Sequence, residues 1–244
     1  MKALILNSGR GERLRPLTKY IPKALIRIGD KPLLGHQISN LVGCGIRNII
    51  MTTGPFENKI QKYMENEFPD ISVAYVKNQR YRTTNYIYSM WLTKKFIDDD
   101  VVLFHGDLFF EKELLKKLIE KKYANCVLVN REIKPPKKDF KAVIENEIVI
   151  KIGVEFSGKN AFFSAPMYKF SKSNCLRWLN EIGKFIQEGG NLGIYAECIL
   201  NEISDKIMLH PVYFTKEVCL EIDTEKDLEL VRSYFKMKQP IKTD

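Results

Sequence analysis

The chain has 244 residues, of which 45% are hydrophobic, 28% charged and 11% aromatic. A chain of this length and composition can bury a sizeable core as one large domain or two small ones, which excludes a disordered protein, a collagen-like fibre and a disulfide-stapled miniprotein. The formal net charge of +9 favours anionic partners. The lysine clusters at 116–117, 121–122 and 134–141 lie on predicted helix faces or in a polar loop, so we expect no nucleic-acid partner.

The sequence also argues against a membrane protein and against a protein stabilised by a structural metal ion. No apolar run approaches the ~18 residues of a membrane helix, and residues 3–6 are too short an apolar run for a signal-peptide core. We therefore expect a cytoplasmic protein without membrane insertion. The five cysteines are scattered and form no CxxC pair, which predicts reduced, structural thiols and no zinc site.

Short β-branched runs alternate with amphipathic helices through the first half of the chain. Strands are predicted at 2–7, 48–53, 72–77, 100–104 and 125–129, and helices at 58–68 and 85–95. Apolar residues at helical spacing predict two further helices, one through Leu34, Ile38, Leu41 and Val42 and one through Leu114, Leu115, Leu118 and Ile119. This alternation is typical of a mostly parallel sheet covered on both faces.

The rhythm changes after Arg131, where a run of lysines and prolines at 134–138 predicts a loop. A hairpin around Asn146 (141–145 with 148–152) should follow, then strands at 162–168, 208–213 and 219–222 and helices at 171–187, 193–204 and 224–235. Thr224 is a plausible N-cap with Asp227 three residues later. We predict an α/β fold in a single domain: a Rossmann-like, doubly wound, mixed but mostly parallel sheet with helices on both faces and a small β excursion in the second half.

A glycine-rich loop follows the first strand directly, as Asn7-Ser8-Gly9-Arg10-Gly11-Glu12-Arg13-Leu14. Glycines at this place let backbone N–H groups approach phosphates closely. The loop is not a dinucleotide fingerprint, because Leu14 stands where the third glycine belongs, and it lacks the GK[ST] of a P-loop. By itself it is equally compatible with a tight structural turn.

The residues around this loop extend the pattern. The run 11–18 reads GERLRPLT, followed by Pro-Lys-Ala-Leu at 22–25 and Lys-Pro-Leu-Leu at 31–34. Together they resemble the nucleoside-diphospho-sugar pyrophosphorylase family of nucleotidyltransferases. The resemblance implies a nucleotide-binding core at 1–131 and an acceptor-binding part with a second metal ligand at 132–244. It implies that Arg13 and Lys23 contact nucleotide phosphates as catalytic residues. The wider nucleotide site is expected to comprise Asn7, Ser8, Gly9, Arg10, Gly11, Arg13, Lys23, Asn85 and Ser89.

Two aspartates resemble the metal-binding pair of the same family. Asp107 follows an apolar strand, at the edge where parallel sheets bind ligands, and Asp223 stands at a strand-to-helix junction. Asp223 could instead serve only as a helix cap. Two carboxylates together with phosphate oxygens suit Mg²⁺, which takes few protein ligands. We therefore expect Mg²⁺ on Asp107 and Asp223, with Asp107 also catalytic.

The segment 84–92, TNYIYSMWL, resembles the NNxYSLxL segment of phosphocholine cytidylyltransferases and their relatives, although Thr84 replaces the first asparagine. Tyr195-Ala196-Glu197, Asn201-Glu202 and the Glu-Ile-Asp at 221–223 resemble that branch too. The resemblance implies CTP as donor and a small phosphorylated or phosphonylated amine or amino acid as acceptor. A sugar-1-phosphate nucleotidyltransferase and a non-catalytic nucleotide sensor on the same fold stay as alternatives, and a homodimer is left open.

Three acceptor chemistries fit the residues of this branch. Tyr86, Tyr88 and Trp91 with Glu197 could surround a quaternary ammonium, as in phosphocholine. A primary amine, as in 2-aminoethylphosphonate, would prefer Asp139, Glu155 or Glu197, and the carboxylate of phosphoglutamine could be met by Lys141. We take Tyr86, Tyr88, Lys141 and Glu197 as the candidate acceptor residues.

Overall fold

A computed structural model describes residues 1–238 of the chain. The strands are β1 (Lys2–Asn7), β2 (Arg27–Ile28), β3 (Lys31–Pro32), β4 (Asn48–Thr53), β5 (Ser72–Lys77), β6 (Val101–His105), β7 (Leu108–Phe110), β8 (Cys126–Asn130), β9 (Lys141–Glu145), β10 (Ile148–Gly153), β11 (Ala161–Phe170), β12 (His210–Phe214) and β13 (Cys219–Glu221). The α-helices are α1 (Leu33–Gly43), α2 (Glu57–Glu67), α3 (Tyr86–Leu92), α4 (Lys112–Glu120), α5 (Lys172–Gln187), α6 (Ala196–Glu202) and α7 (Glu225–Lys238).

The main sheet is mixed and has the order β10-β9-β11-β6-β1-β4-β5, with β8 pairing both β11 and β12. Strands β6, β1, β4 and β5 are parallel to one another, and β12 is parallel to β8. Antiparallel pairing is confined to β11 and to the β9–β10 hairpin beside it. This is the predicted Rossmann-like α/β fold with a β excursion in the second half.

Alternation along the strands builds a separate core on each face of the sheet. On β6, Val101 and Leu103 pack into one apolar cluster and Val102 and Phe104 into the other, as the period of two demands. A third, smaller cluster lies beneath α7 and includes Leu228 and Val231. Because both faces are covered, polar chemistry is left to the ends of the strands.

Several predicted boundaries needed correction. The helix predicted at 85–95 ends at Leu92 and continues as a short 3₁₀ helix over Lys94–Phe96, since the Thr93 hydroxyl donates to the carbonyl of Met90 at 2.6 Å. The helix predicted from 193 begins only at Ala196. Strands β2, β3 and β7 were not predicted, because segments of two or three residues carry too little periodicity.

The predicted hairpin turn and the predicted cap of the last helix are confirmed. In the β9–β10 hairpin, Asn146 and Glu147 have φ of 49° and 59°, the left-handed pair that a two-residue turn requires. At the start of α7 the Asp227 carboxylate accepts from the Thr224 backbone N–H at 2.9 Å, and Asp227 N–H donates to the Thr224 hydroxyl at 3.3 Å. All five cysteines are free. Within residues 1–238, none of the helices combines the length and apolar composition that crossing a bilayer demands.

Candidate active site

The site lies where the parallel neighbours β1 and β6 end side by side. Leu6 is in register with His105, so the turn at Gly106 lies next to Asn7. A side chain at position 106 would place its Cβ 1.7 Å from the Asn7 Oδ1, and the Gly106 N–H donates to the Leu6 carbonyl at 3.0 Å. Only glycine allows this approach, which holds Asn7 and the start of the Asp107 turn together.

The glycine loop forms one rim of a cavity of about 660 Å³. Gly11 has φ 61°, and its carbonyl accepts from the Thr18 hydroxyl at 2.6 Å, which fixes the turn. Gly9 differs: an added Cβ would have no atom of residues 1–238 within 4 Å, and the φ of Gly9 lies outside the left-handed region. Packing within the protein therefore does not require glycine at position 9, although open space beside the loop does suit a ligand approaching its backbone.

A short strand pairing brings the two aspartates together across 116 residues of sequence. Strands β7 and β13 are antiparallel, with Leu108 in register with Glu221. The Ile222 N–H donates to the Asp107 carbonyl at 2.9 Å. Asp107 precedes β7 and Asp223 follows β13, so both carboxylates reach the same end of the pair and line the cavity.

Lys23 lies between these carboxylates. Its Nζ donates to Asp107 Oδ2 at 2.7 Å and to Asp223 Oδ1 at 2.9 Å, and Arg13 pairs with the same Asp223 oxygen at 2.9 Å. Burial opposes the charge of Lys23, yet the two carboxylates outweigh it and raise its pKa. Burial also opposes ionisation of Asp107, but the Lys23 ammonium outweighs it and holds the pKa of Asp107 below its usual value.

Buried polar atoms without a protein partner point into this region. Among the described residues, Asp107 Oδ1, Asn7 Nδ2 and His105 Nε2 are fully buried and form no hydrogen bond. Such atoms in a native site usually meet water, an ion or a ligand. Asp107 and Asp223 are hard oxygen donors, and the Asp107 Oδ1 has no hydrogen-bond partner among the described residues. This donor set fits a small divalent cation. His105, Asp107 and Glu221 also bring ligating atoms within 4.8 Å of one another.

The far wall of the cavity is aromatic. The His105 ring lies 4.6 Å from Tyr86 and 6.1 Å from Phe140, and Tyr195 lies 5.1 Å from Phe140 and 6.1 Å from Tyr86, measured between ring centroids. Glu221 adds a carboxylate that the His105 Nδ1 contacts at 3.3 Å. The wall therefore combines ring faces with negative charge, beside the aspartate pair.

The structure distributes the predicted site residues unevenly. Most of them line the cavity, namely Asn7, Ser8, Gly9, Arg10, Gly11, Arg13, Lys23, Asn85, Tyr86, Asp107 and Asp223. Ser89 lies behind it, fully buried, with its hydroxyl 2.6 Å from the Ser8 hydroxyl and 2.8 Å from Asn78 Nδ2. Ser89 can therefore support Ser8 rather than meet a ligand directly.

The remaining predicted acceptor residues lie outside the cavity lining. The Tyr88 ring lies 5.7 Å from Trp91 in a tilted arrangement, and Trp91 faces a different groove. Lys141 is buried and donates to the carbonyls of Lys137 and Val154, both at 2.8 Å. Glu197 is 1% exposed and accepts from the Tyr86 and Tyr168 hydroxyls. Glu197 thus fixes Tyr86 from behind the wall.

Other residues of the lining were missed by the sequence reasoning. They are Tyr81, Arg82, His105, Lys138, Phe140, Tyr195 and Glu221. A signal existed for Glu221, which lies two residues before Asp223 and so shares its side of the strand. Tyr195 carried a signal as the first residue of the Tyr-Ala-Glu motif at 195–197, whereas none existed for Phe140, which comes from a distant segment. Lys138, on the proline-rich loop, donates to Asp227 at 2.8 Å.

The chain is similar to several known proteins. The family model described as nucleotidyl transferase matches residues 2–145. A choline-phosphate cytidylyltransferase from Streptococcus pneumoniae is 27% identical over the full length of both chains. A CMP-5'-(3-aminopropyl)phosphonate synthase from Streptomyces rubellomurinus is 30% identical over 55% of this chain and 22% of its own.

A relative with a different acceptor is also present. A bifunctional sugar-1-phosphate nucleotidylyltransferase/acetyltransferase from Sulfurisphaera tokodaii is 36% identical over 79% of this chain. This chain spans 45% of that relative and 22% of the Streptomyces one. The solved structure of a CTP:phosphocholine cytidylyltransferase from Streptococcus pneumoniae superposes with a TM-score of 0.78 at 21% identity, covering 96% of this chain and 98% of that one, which shows the shared fold.

Proposed function

The chain belongs to the nucleotidyl transferase family, and from that premise we propose that it is a CTP-dependent cytidylyltransferase. It transfers CMP from CTP to a small phosphorylated or phosphonylated amine or amino acid and releases pyrophosphate. The acceptor class is that of phosphocholine, 2-aminoethylphosphonate and phosphoglutamine. Activated head groups of this type would supply the decoration of cell-surface polysaccharide or lipid, from a reaction in the cytoplasm.

One observation supports this acceptor class above others: the aromatic wall and its carboxylate share a cavity with the aspartate pair. Ring faces of Tyr86, Phe140 and Tyr195, with Glu221 among them, offer cation–π attraction and a counter-charge to an ammonium group. A sugar 1-phosphate carries no cation, so it could not use this cation–π attraction. The names of the Streptococcus and Streptomyces relatives point to acceptors with the same combination of amine and phosphorus oxyanion.

The reaction is an in-line displacement at phosphorus. An anionic oxygen of the acceptor bonds to the α-phosphorus of CTP, and the bond from that phosphorus to the α–β bridging oxygen breaks. The electron pair of the broken bond leaves with pyrophosphate. Because the nucleophile is already ionised, the protein needs no strong general base, and its main task is to hold two polyanions in line.

The chain's own residues divide this task. The triphosphate would be bound by backbone N–H groups of the glycine loop and by the cations Arg13 and Lys23. The aromatic wall would orient the ammonium group of the acceptor. Asp107 and Asp223 would hold Mg²⁺, a role that the orphaned Asp107 Oδ1 supports. When bound, that ion neutralises phosphate charge and polarises the phosphoryl oxygens.

A second candidate function is sugar-1-phosphate nucleotidyl transfer with UTP, dTTP or CTP. The 36% identity to the Sulfurisphaera relative favours it, since this match extends over 79% of the chain. It uses the same glycine loop and aspartate pair, and differs only in the acceptor wall. A non-catalytic nucleotide sensor would bind CTP through these groups without turning it over.

A single panel assay separates these functions. The purified protein is incubated with Mg²⁺, one nucleoside triphosphate and one acceptor, and pyrophosphate release is followed with a pyrophosphatase-coupled phosphate assay. The acceptors are phosphocholine, phosphoethanolamine, 2-aminoethylphosphonate, phosphoglutamine and sugar 1-phosphates. We expect turnover with CTP and an amine-bearing acceptor. Preference for a sugar 1-phosphate would support the second candidate, and CTP binding without pyrophosphate release would indicate a sensor.

Matched variants show whether the aromatic wall selects the acceptor. Tyr195→Leu removes a ring from the wall, whereas Tyr88→Leu removes a ring outside the cavity. We expect only the first to weaken the amine-bearing acceptor. If both variants, or neither, changed its KM, the wall would not be the acceptor site.

A further inference from the structure

A second, larger concavity lies between α3 and α5, and we call it the α3–α5 groove. Its volume is about 1370 Å³, and within the described chain it shares no lining residue with the catalytic cavity. The edge strand β5 forms one border and the short 3₁₀ helix after α3 another. Helix α3 separates the two concavities: Tyr86 at its start faces the cavity, and Trp91 and Leu92 at its end face the groove.

The groove has an apolar floor. The floor consists of half-buried aromatic and aliphatic side chains, namely Tyr75, Trp91, Leu92, Phe96 and Leu176. Gly183 on α5 keeps this floor open, because a Cβ there would lie 2.9 Å from the Trp91 indole nitrogen. These side chains leave apolar area in contact with water that a partner could cover.

The rim of the groove is cationic. It consists of five exposed side chains: Lys77, Lys94, Lys95, Arg177 and Lys184. Lys77 pairs with Glu57 at 3.6 Å and Lys184 with Glu181 at 2.8 Å. Within residues 1–238, no carboxylate lies at salt-bridge distance from Lys94, Lys95 or Arg177. Lys94 and Lys95 therefore border the apolar floor without an acidic partner among these residues, while Arg177 interacts with the charge of Glu181 without forming an ion pair.

Size and charge together select one occupant. The groove exceeds the roughly 300–1,000 Å³ of typical small-molecule sites, which favours a peptide segment over a metabolite. An apolar floor with a charged rim matches the recognition of an amphipathic helix, whose apolar stripe fills the groove while its polar flanks meet the rim. The unpaired cations require those flanks to be acidic.

We propose that the α3–α5 groove is a docking site for an acidic amphipathic helix of a partner protein. The groove and the cavity lie at opposite ends of α3, about 10 Å apart for seven residues. A docked helix would leave the catalytic cavity open. The proposal is independent of which nucleotide or acceptor the cavity takes.

The probe is a synthetic helix of about five turns, roughly 18 residues, with leucine at helical spacing and glutamate elsewhere. A peptide with lysine in place of every glutamate is its charge control, and vesicles of pure phosphatidylglycerol test an anionic lipid surface. Binding is followed by calorimetry and by the emission of Trp91. The only other tryptophan, Trp178, is fully buried and gives a constant background.

Two triple variants with equal change of charge test the location. One reverses the rim (Lys94→Glu, Lys95→Glu and Arg177→Glu), and the other reverses exposed lysines outside the groove (Lys116→Glu, Lys121→Glu and Lys122→Glu). We expect saturable binding of the acidic peptide, a blue shift of the Trp91 emission that Trp91→Phe abolishes, and at least a ~10-fold weaker affinity in the rim variant alone. Thermal melting of each variant confirms folding.

Other results would overturn the proposal. Equal loss in both triple variants would show attraction to net charge only. Equal binding of the lysine peptide would remove the role of the cationic rim, and binding of the vesicles without the peptide would assign the groove to a lipid. Absence of peptide binding to the folded wild-type protein would leave the groove without its proposed occupant.

Discussion

Gly9→Ala separates ligand binding from folding more cleanly than other changes in the glycine loop. An added methyl at position 9 meets no protein atom within 4 Å and demands no left-handed backbone. We therefore expect the free energy of unfolding to stay constant or to rise by about 0.4–1 kcal/mol through the less flexible unfolded chain. If the CTP phosphates approach the Gly9 backbone, the same methyl blocks them.

The magnitude follows from the contact that the methyl displaces. A hydrogen bond to a charged group contributes about 1.5–3 kcal/mol, which corresponds to about a 10- to 150-fold fall in kcat/KM for CTP. Pyrophosphate release at varied CTP measures this fall, and calorimetry of CTP binding measures it without an acceptor. Urea unfolding supplies the stability of the same protein sample.

Gly45→Ala is the matched control, because we expect it to lower the stability of the protein and to leave CTP binding unchanged. Gly45 also has open space around it, but its φ is 79° and it lies outside the cavity. Alanine there should cost about 1–2 kcal/mol of stability and leave kcat/KM for CTP unchanged at temperatures below melting. If Gly9→Ala kept wild-type affinity and turnover for CTP, the loop would be a structural turn and not a phosphate site.

Three further predictions concern the rest of the cavity. Asp107→Asn or Asp223→Asn should lower turnover at saturating Mg²⁺ by at least ~10²-fold, the scale of one lost electrostatic stabiliser, and wild-type turnover in steady-state assays would contradict the metal site. Tyr195→Leu should raise the KM of the amine-bearing acceptor by about tenfold, since cation–π contacts contribute about 0.5–2 kcal/mol, with an unchanged KM for CTP as the check on folding. Lys138→Gln removes a cation that lines the cavity and should raise the KM of the acceptor. Lys137→Gln, which changes a residue outside the lining, should leave this KM unchanged. Equal effects of the two variants would mean that the charge of Lys138 does not contact the acceptor.

The elements with the strongest periodicity were predictable to the residue. Strands β1, β4 and β5 have the predicted bounds, since each is a short run of apolar or β-branched residues in the parallel part of the sheet. The short pair of β7 and β13 was only half predicted, because three residues of β7 carry no pattern of their own. That pair nevertheless brings Asp107 next to Asp223.

The part of the cavity proposed to bind phosphates was easier to predict from the sequence than the part proposed to bind the acceptor. Asn7, Gly9, Arg13 and Lys23 lie within one continuous segment, so local motifs bring them together. The acceptor wall has no such segment: Phe140 precedes β9, and Tyr195 precedes α6, 55 residues later. Packing of the β excursion against α6, and of α6 against α3, brings these rings together, and tertiary packing leaves no local pattern in the chain.

The charges around Lys23 explain how the protein tolerates two half-buried carboxylates where it must also bind a polyanion. Asp107 and Asp223 carry two negative charges, and Lys23 and Arg13 carry two positive ones within 2.9 Å of them. The cluster is therefore neutral, so it neither repels a triphosphate nor leaves an uncompensated charge in the interior. The same ammonium that holds the pKa of Asp107 low keeps this carboxylate ionised for a metal. Lys23 thus stabilises both carboxylates of the site, and a substituted side chain would have to be a cation that contacts Asp107 and Asp223.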